Sequence, residues 1–238
     1  MGDHSSNCNI PADLLRFERP LFHLAKQLEG PGPIKIVAIG SSSTIGEGTI
    51  APYPGRLETA LRRRFPGPKI DVINKGLGGQ EAPEEFKRFD EDVIGQSPVL
   101  TIWQIGTNAI FHEGYDLDDV AAAVDAGLKR LSGLAMDVVL MDLQYAPAIL
   151  DGGKLAGTEH MVGLIADGAR RAGVNVFRRF ALMRHWHKDC GIPIDQMIDP
   201  IDPSHLHQSD WCTACVATAL DILIADAVAR AYPAIPTS

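Results

Sequence analysis

Five short apolar runs, each bounded by glycine, proline or polar residues, constrain this chain more than any other feature. They are Lys35–Ile39, Ile70–Ile73, Val99–Ile105, Val138–Leu143 and Val174–Phe177. Between and after them lie segments of helical period: Pro54–Phe65, Pro83–Ile94, Glu159–Ala172 and Ser209–Ala231. Another carries Leu117, Val120, Ala121, Val124, Leu128 and Leu131 at helical spacing. Strands that are apolar throughout, rather than at alternate positions, are buried on both faces, and strand–helix alternation supplies the helices that bury them. The pattern predicts an α/β fold with a five-stranded parallel sheet covered by helices on both faces. The stretch Glu29-Gly-Pro-Gly-Pro33 divides an N-terminal arm, residues 1–33, from a single domain over 34–238.

Composition narrows the partners. With 45% hydrophobic and 22% charged residues the chain can bury a core, which excludes disorder. The 22 Lys and Arg stand against 30 Asp and Glu, a net charge of −8. A nucleic-acid groove needs a basic field, so no nucleic-acid partner is expected, nor an anionic membrane surface. No window holds 18 consecutive apolar residues, and no transmembrane segment is expected. Residues Met1–Ile10 are polar and lack the apolar core of a signal peptide. Four cysteines are present, and a bond from Cys8 to Cys190, Cys212 or Cys215 would tie the arm down. The arm cysteine favours a periplasmic or secreted mature chain, with the cytoplasm as the alternative. Oligomeric state is not legible.

In open parallel sheets, ligands bind beyond the carboxyl ends of the strands. The first strand here runs into Gly40-Ser41-Ser42-Ser43-Thr44-Ile45-Gly46, the second into Asn74-Lys75-Gly76-Leu77-Gly78-Gly79, and the third into Gly106-Thr107-Asn108. Downstream of the fifth comes Asp199-Pro200-Ile201-Asp202-Pro203-Ser204-His205-Leu206-His207. Nucleophilic acyl transfer needs a hydroxyl, a histidine to take its proton, a carboxylate to orient that histidine, and donors for the oxyanion. Ser42 is the expected nucleophile, His205 the base and Asp202 the orienting carboxylate. The Ser42 amide, the Gly79 amide and the Asn108 side chain are the expected oxyanion hole.

Competing chemistries fit less well. Cys212-x-x-Cys215, with His185, His187, His205 and His207 near in sequence, invites zinc. A core or disulfide role suits a pair three apart on one helix better, so no metal site is expected. A phosphate loop fails because five residues separate Gly40 from Gly46 and Glu47 stands where the lysine belongs. The dinucleotide pattern at Gly46–Ala51 fails because Pro52 and Pro54 break the helix it requires.

These motifs, in order between residues 40 and 205, resemble the SGNH (GDSL-type) hydrolases. That family's first motif is Gly-Asp-Ser, here Gly40-Ser41-Ser42, so Ser41 departs from it. Its second sets the oxyanion glycine five residues after an asparagine, which selects Gly79 from Asn74. Its third, Gly-x-Asn, matches Gly106–Asn108, and its fourth, Asp-x-x-His, matches Asp202–His205. The resemblance implies a three-layer α/β/α sandwich on a five-stranded parallel, flavodoxin-like sheet, and a cofactor-free, metal-free serine esterase that hydrolyses small acyl esters, acetyl among them. The substrate would be a small-molecule or carbohydrate ester. The alternatives are an O-acyltransferase acting on a carbohydrate and a non-catalytic binding module on the same fold.

Overall fold

The structure, a computed structural model, describes residues 8–46 and 48–232. The polar start over residues 1–7 and Glu47 fall outside them. The five apolar runs form β1 (Ile34–Gly40), β2 (Ile70–Gly76), β3 (Leu100–Gln104), β4 (Asp137–Met141) and β5 (Asn175–Phe177). All pair in parallel, in the order β2-β1-β3-β4-β5. The switch point therefore lies between β1 and β3, where Gly40 and Gln104 end their strands. β3 is buried at every position, as a strand covered on both faces must be.

Two helix groups pack among themselves and flank the sheet. One joins Ala82–Lys87, Leu117–Ser132 and Leu155–Ala172; the other joins Phe22–Leu28, Tyr53–Arg64 and Asp210–Ala229. Helix Asp210–Ala229 has a mean hydropathy of 1.8, long and apolar enough to cross a membrane by those measures. Its Cys215, Val216, Ala219, Leu220 and Ile224 are instead buried in the core, and Asp221 pairs with Arg64.

Departures from the sequence expectation have local causes. The helix expected over Pro83–Ile94 breaks at Arg88 into Ala82–Lys87 and Phe89–Asp92. The Arg88 backbone leaves helical geometry while its guanidinium donates to the carbonyls of Lys75 (2.7 Å) and Gly40 (3.2 Å), at the ends of β2 and β1. Helix Arg179–Lys188 carries Phe180, Leu182, Met183 and Trp186 inward amid a basic, weakly patterned sequence.

The arm is also more than a tether. Its Phe17, Leu21 and Leu24 are members of the main core. Asn175 clamps its backbone by accepting from the Arg19 amide (2.9 Å) and donating to the Arg19 carbonyl (3.0 Å). Of the three cysteines considered as partners for Cys8, Cys215 forms the disulfide.

Candidate active site

The turn after β1 crosses above the end of β2, and the crossing is close. A Cβ at Gly76 would stand 2.2 Å from the Ile45 amide nitrogen, so only glycine fits there. Asn74 fastens the crossing by donating to the Thr44 carbonyl (2.7 Å) and accepting from the Gly76 amide (2.9 Å). Ser42 opens the single-turn helix Ser42–Ile45 and is 7% exposed. Gln104, from the end of β3, supports the turn from below through Ser41 and Thr44.

His207, not His205, faces this serine. Its Nε2 lies 3.0 Å from Ser42 Oγ, and its Nδ1 lies 2.9 Å from Asp202 Oδ2. His205 is exposed, with a left-handed backbone (φ +50°), and its position in the expected set passes to His207. The cause is the folding of the loop around Asp202. That carboxylate accepts from the Ser204 amide (2.9 Å), closing a turn two residues on. It also accepts from the Ser204 hydroxyl and from the amides of Leu206 (3.0 Å) and His207 (2.8 Å). Curling the chain this tightly moves the histidine that meets Asp202 from three residues away to five.

Burial works against the charged form of Asp202, but the His207 amide, the Ser204 hydroxyl and amide, and the Leu206 amide outweigh it. They hold the carboxyl well below the usual carboxylate range. A hydroxyl, an imidazole and an ionised carboxylate thus stand in one hydrogen-bonded line. In such a line the ring nitrogen facing the hydroxyl can take its proton while the carboxylate fixes the tautomer.

Gly79 and Asn108 come to the same end of the sheet. Gly79 sits in an exposed turn at φ +78°, a conformation natural to glycine. Asn108 is buried, and one hydrogen of its amide goes to the Gln80 carbonyl at 2.7 Å. A primary amide carries two donors, so this bond orients the group without exhausting it. Glu81 locks the two loops together. Its buried carboxylate accepts from the amides of Ala82 (2.9 Å), Gly106 (2.7 Å) and Ala109 (3.0 Å). Burial pushes Glu81 above the ordinary range and these amides pull it back. Burial, reinforced by the neighbouring Glu81 charge, pushes Glu85 further up. Neither glutamate is prominent in the sequence. The clue available was the spacing Glu81–Glu84, a helix-capping box with glutamate in place of serine.

Beside Ser42 lies a depression of about 20 Å³ lined by Ser43, Gly46, Ile50, Pro52, His207, Gln208 and Thr213. A larger cavity, about 620 Å³, lies where the arm crosses the β5 edge and includes Asp13, Arg16, Asp142 and Arg178. It contains none of Ser42, Asp202 and His207, and size alone does not make it the reacting centre.

Cys215 is spent on the disulfide and the Cys212 thiol is buried against the Gln208 amide, so this pair does not present two thiolates to a metal.

Comparison with known proteins places the chain. A family model described as "Non-GDSL lipase-like family" matches residues 7–230. The chain belongs to that family. Its name agrees with Ser41 standing where GDSL-type chains have aspartate. The chain is 36% identical over 95 residues to the uncharacterized lipoprotein YqeF of Bacillus subtilis, covering 36% of this chain and 37% of that one. It is 28% identical over 116 residues to an acetylxylan esterase of Geobacillus stearothermophilus, covering 44% and 51%. The matches thus span about half or less of these relatives. The crystal structure of Axe2, an acetylxylan esterase of the same organism, superposes with a TM-score of 0.66 at 20% identity, over 81% of this chain and 95% of that one. LAE5, an α/β hydrolase enzyme from the Lake Arreo metagenome, gives 0.68 at 18% identity, over 87% and 100%. These likenesses establish the shared five-stranded α/β fold.

Proposed function

We propose that this protein is a serine esterase of the SGNH type that hydrolyses acetyl esters of carbohydrates or small molecules. The observation that carries the reading is the hydrogen-bonded line Ser42–His207–Asp202. His207 takes the Ser42 proton as Oγ attacks the ester carbonyl, then gives it to the departing alkoxide, leaving an acetyl-enzyme. Water, deprotonated by the same nitrogen, releases acetate. The Ser42 and Gly79 amides and the Asn108 side chain meet the charge on the tetrahedral oxygen.

Three further observations support it. The depression beside Ser42 takes a group about the size of one water or methyl, which favours a short acyl chain. A relative and the structural neighbour Axe2 are named acetylxylan esterases. Axe2 variants described as catalytic mutants replace a serine, an aspartate and a histidine, the residue types in line here, with the last two three positions apart as Asp202 and His205 are. The Cys8–Cys215 disulfide and the lipoprotein among the relatives favour an oxidising compartment, periplasmic or extracellular.

A fluorophosphonate should label the wild-type chain stoichiometrically, with the adduct mapped to Ser42 by peptide mass spectrometry, and S42A should take none. The wild type should release acetate from acetylated xylo-oligosaccharides. Absence of label on Ser42 would make the chain a binding module. Acetyl transfer to an added sugar in preference to water would make it a transferase.

A further inference from the structure

The loops that carry Ser42, Asn108 and His207 come from three distant parts of the chain, and a single side chain touches all of them. Gln144 follows β4 by three residues and is fully buried. Its Oε1 accepts from the Ser43 hydroxyl (3.2 Å) and the Thr107 hydroxyl (3.1 Å). Its Nε2 donates to the Leu206 carbonyl (3.2 Å). Each of these partners is the immediate neighbour of a site residue: Ser43 follows Ser42, Thr107 precedes Asn108, and Leu206 precedes His207.

We propose that Gln144 is the positioning residue that fixes nucleophile, oxyanion donor and base relative to one another, an inference that rests on the esterase reading above. The chemistry of the primary amide makes it suited to this. Two hydroxyls need an acceptor and a backbone carbonyl needs a donor, and a glutamine supplies both from one planar group. An ionised carboxylate would hold the hydroxyls and repel the carbonyl; an apolar side chain would hold neither. The loops have other ties, such as the Ala148 amide on the His205 carbonyl (3.3 Å) and the Glu81 contacts. No other hydrogen-bonding side chain described for the site reaches all three loops.

The test compares the wild type with Q144M, which keeps the length and loses both polar functions, on p-nitrophenyl acetate and on fluorophosphonate labelling. Misplacing reacting groups by about 1 Å costs on the order of 10²-fold in rate. The kcat of Q144M should fall by about 10²-fold, and the rate of Ser42 labelling should fall with it, while KM stays within roughly threefold. Because Q144M could fail to fold, the double variant S43A/T107V removes two of the three contacts without altering the buried amide. It should shift kcat and labelling in the same direction by a smaller factor. A folded Q144M, or the double variant, with wild-type kcat and labelling rate would overturn the proposal, as would a loss confined to thermal stability. A wild-type chain whose Ser42 takes no label ends the esterase reading and this one together. A labelled wild type with an unaffected Q144M ends this one alone.

Discussion

Ser41 and Gln104 are joined twice: the Gln104 side-chain oxygen accepts the Ser41 amide at 3.1 Å and the Ser41 hydroxyl at 3.2 Å. The Thr44 hydroxyl donates to the same oxygen at 3.1 Å. Ser41 is therefore needed here as a donor. Where GDSL-type chains have an aspartate, an acceptor, this fold has built its acceptor into β3. S41D should destabilise the protein by about 1–3 kcal/mol, the cost of a buried polar group facing its own kind. Rotating the Gln104 amide would not help, because the residue 41 amide would then lose its acceptor. Chemical denaturation of both chains measures the difference; equal stability would show that the turn has other ways to satisfy itself.

The two histidines of the downstream loop should separate cleanly. H207A should lower ester hydrolysis to near background, and H205A, an exposed side chain, should retain most of it. Hydrolysis of p-nitrophenyl acetate by both variants decides the matter. An inactive H205A beside an active H207A would restore the Asp-x-x-His pairing.

Asn108 should act on rate rather than on affinity. A donor aimed at the oxyanion acts mainly once the charge has developed, and losing one typically costs about 10²–10³ in kcat. N108A should show that loss with a much smaller change in KM, and slow fluorophosphonate labelling should persist. A raised KM at unchanged kcat would make Asn108 a substrate-binding group.

Asp142 gives the fold a pH dependence of its own. Burial raises its carboxyl to about 7, against the Phe180 amide and the Arg179 guanidinium, which lower it. An unfolded aspartate releases its proton near ~3.9. Between those values the folded chain binds more protons than the unfolded one, so this group's contribution falls as pH rises from about 4 to about 7. Asp202, held low, acts in the opposite sense, losing its contribution only as strong acid protonates it. D142N keeps an oxygen for the Phe180 amide and abolishes the titration. Urea unfolding at about pH 5 and about pH 8 should show a smaller fall in stability for D142N than for the wild type. Parallel falls would refute the assignment.

Much of this was legible because apolar runs and glycines leave strong marks. The five strands were all readable, since continuous apolar stretches between turn residues have few other uses. Ser42 and Asn108 were readable because they follow such strands directly. His207 was not, because the choice between it and His205 depends on how Asp202 curls its own loop, and sequence spacing cannot count residues consumed in a turn. Glu81, Gln104 and Gln144 were illegible for a related reason. A polar residue at the end of a strand or beyond it shows no structural role until its buried partners, supplied by other loops, are known. The helix Arg179–Lys188 was not legible, because basic residues interrupt its apolar period.

The bond between Cys8 and Cys215 makes most of this molecule a covalent ring, with 207 positions of separation closed by one sulfur pair. A ring tolerates one cut without falling apart. Proteolysis at an exposed turn such as Gly152–Gly153, both at positive φ, would open the backbone there yet leave both pieces joined. The nicked protein should run as one band on a non-reducing gel and as two after reduction. For a chain in an oxidising compartment, a first cleavage inside the ring would therefore leave the helices of the arm and of the C-terminal segment tethered to the same sheet.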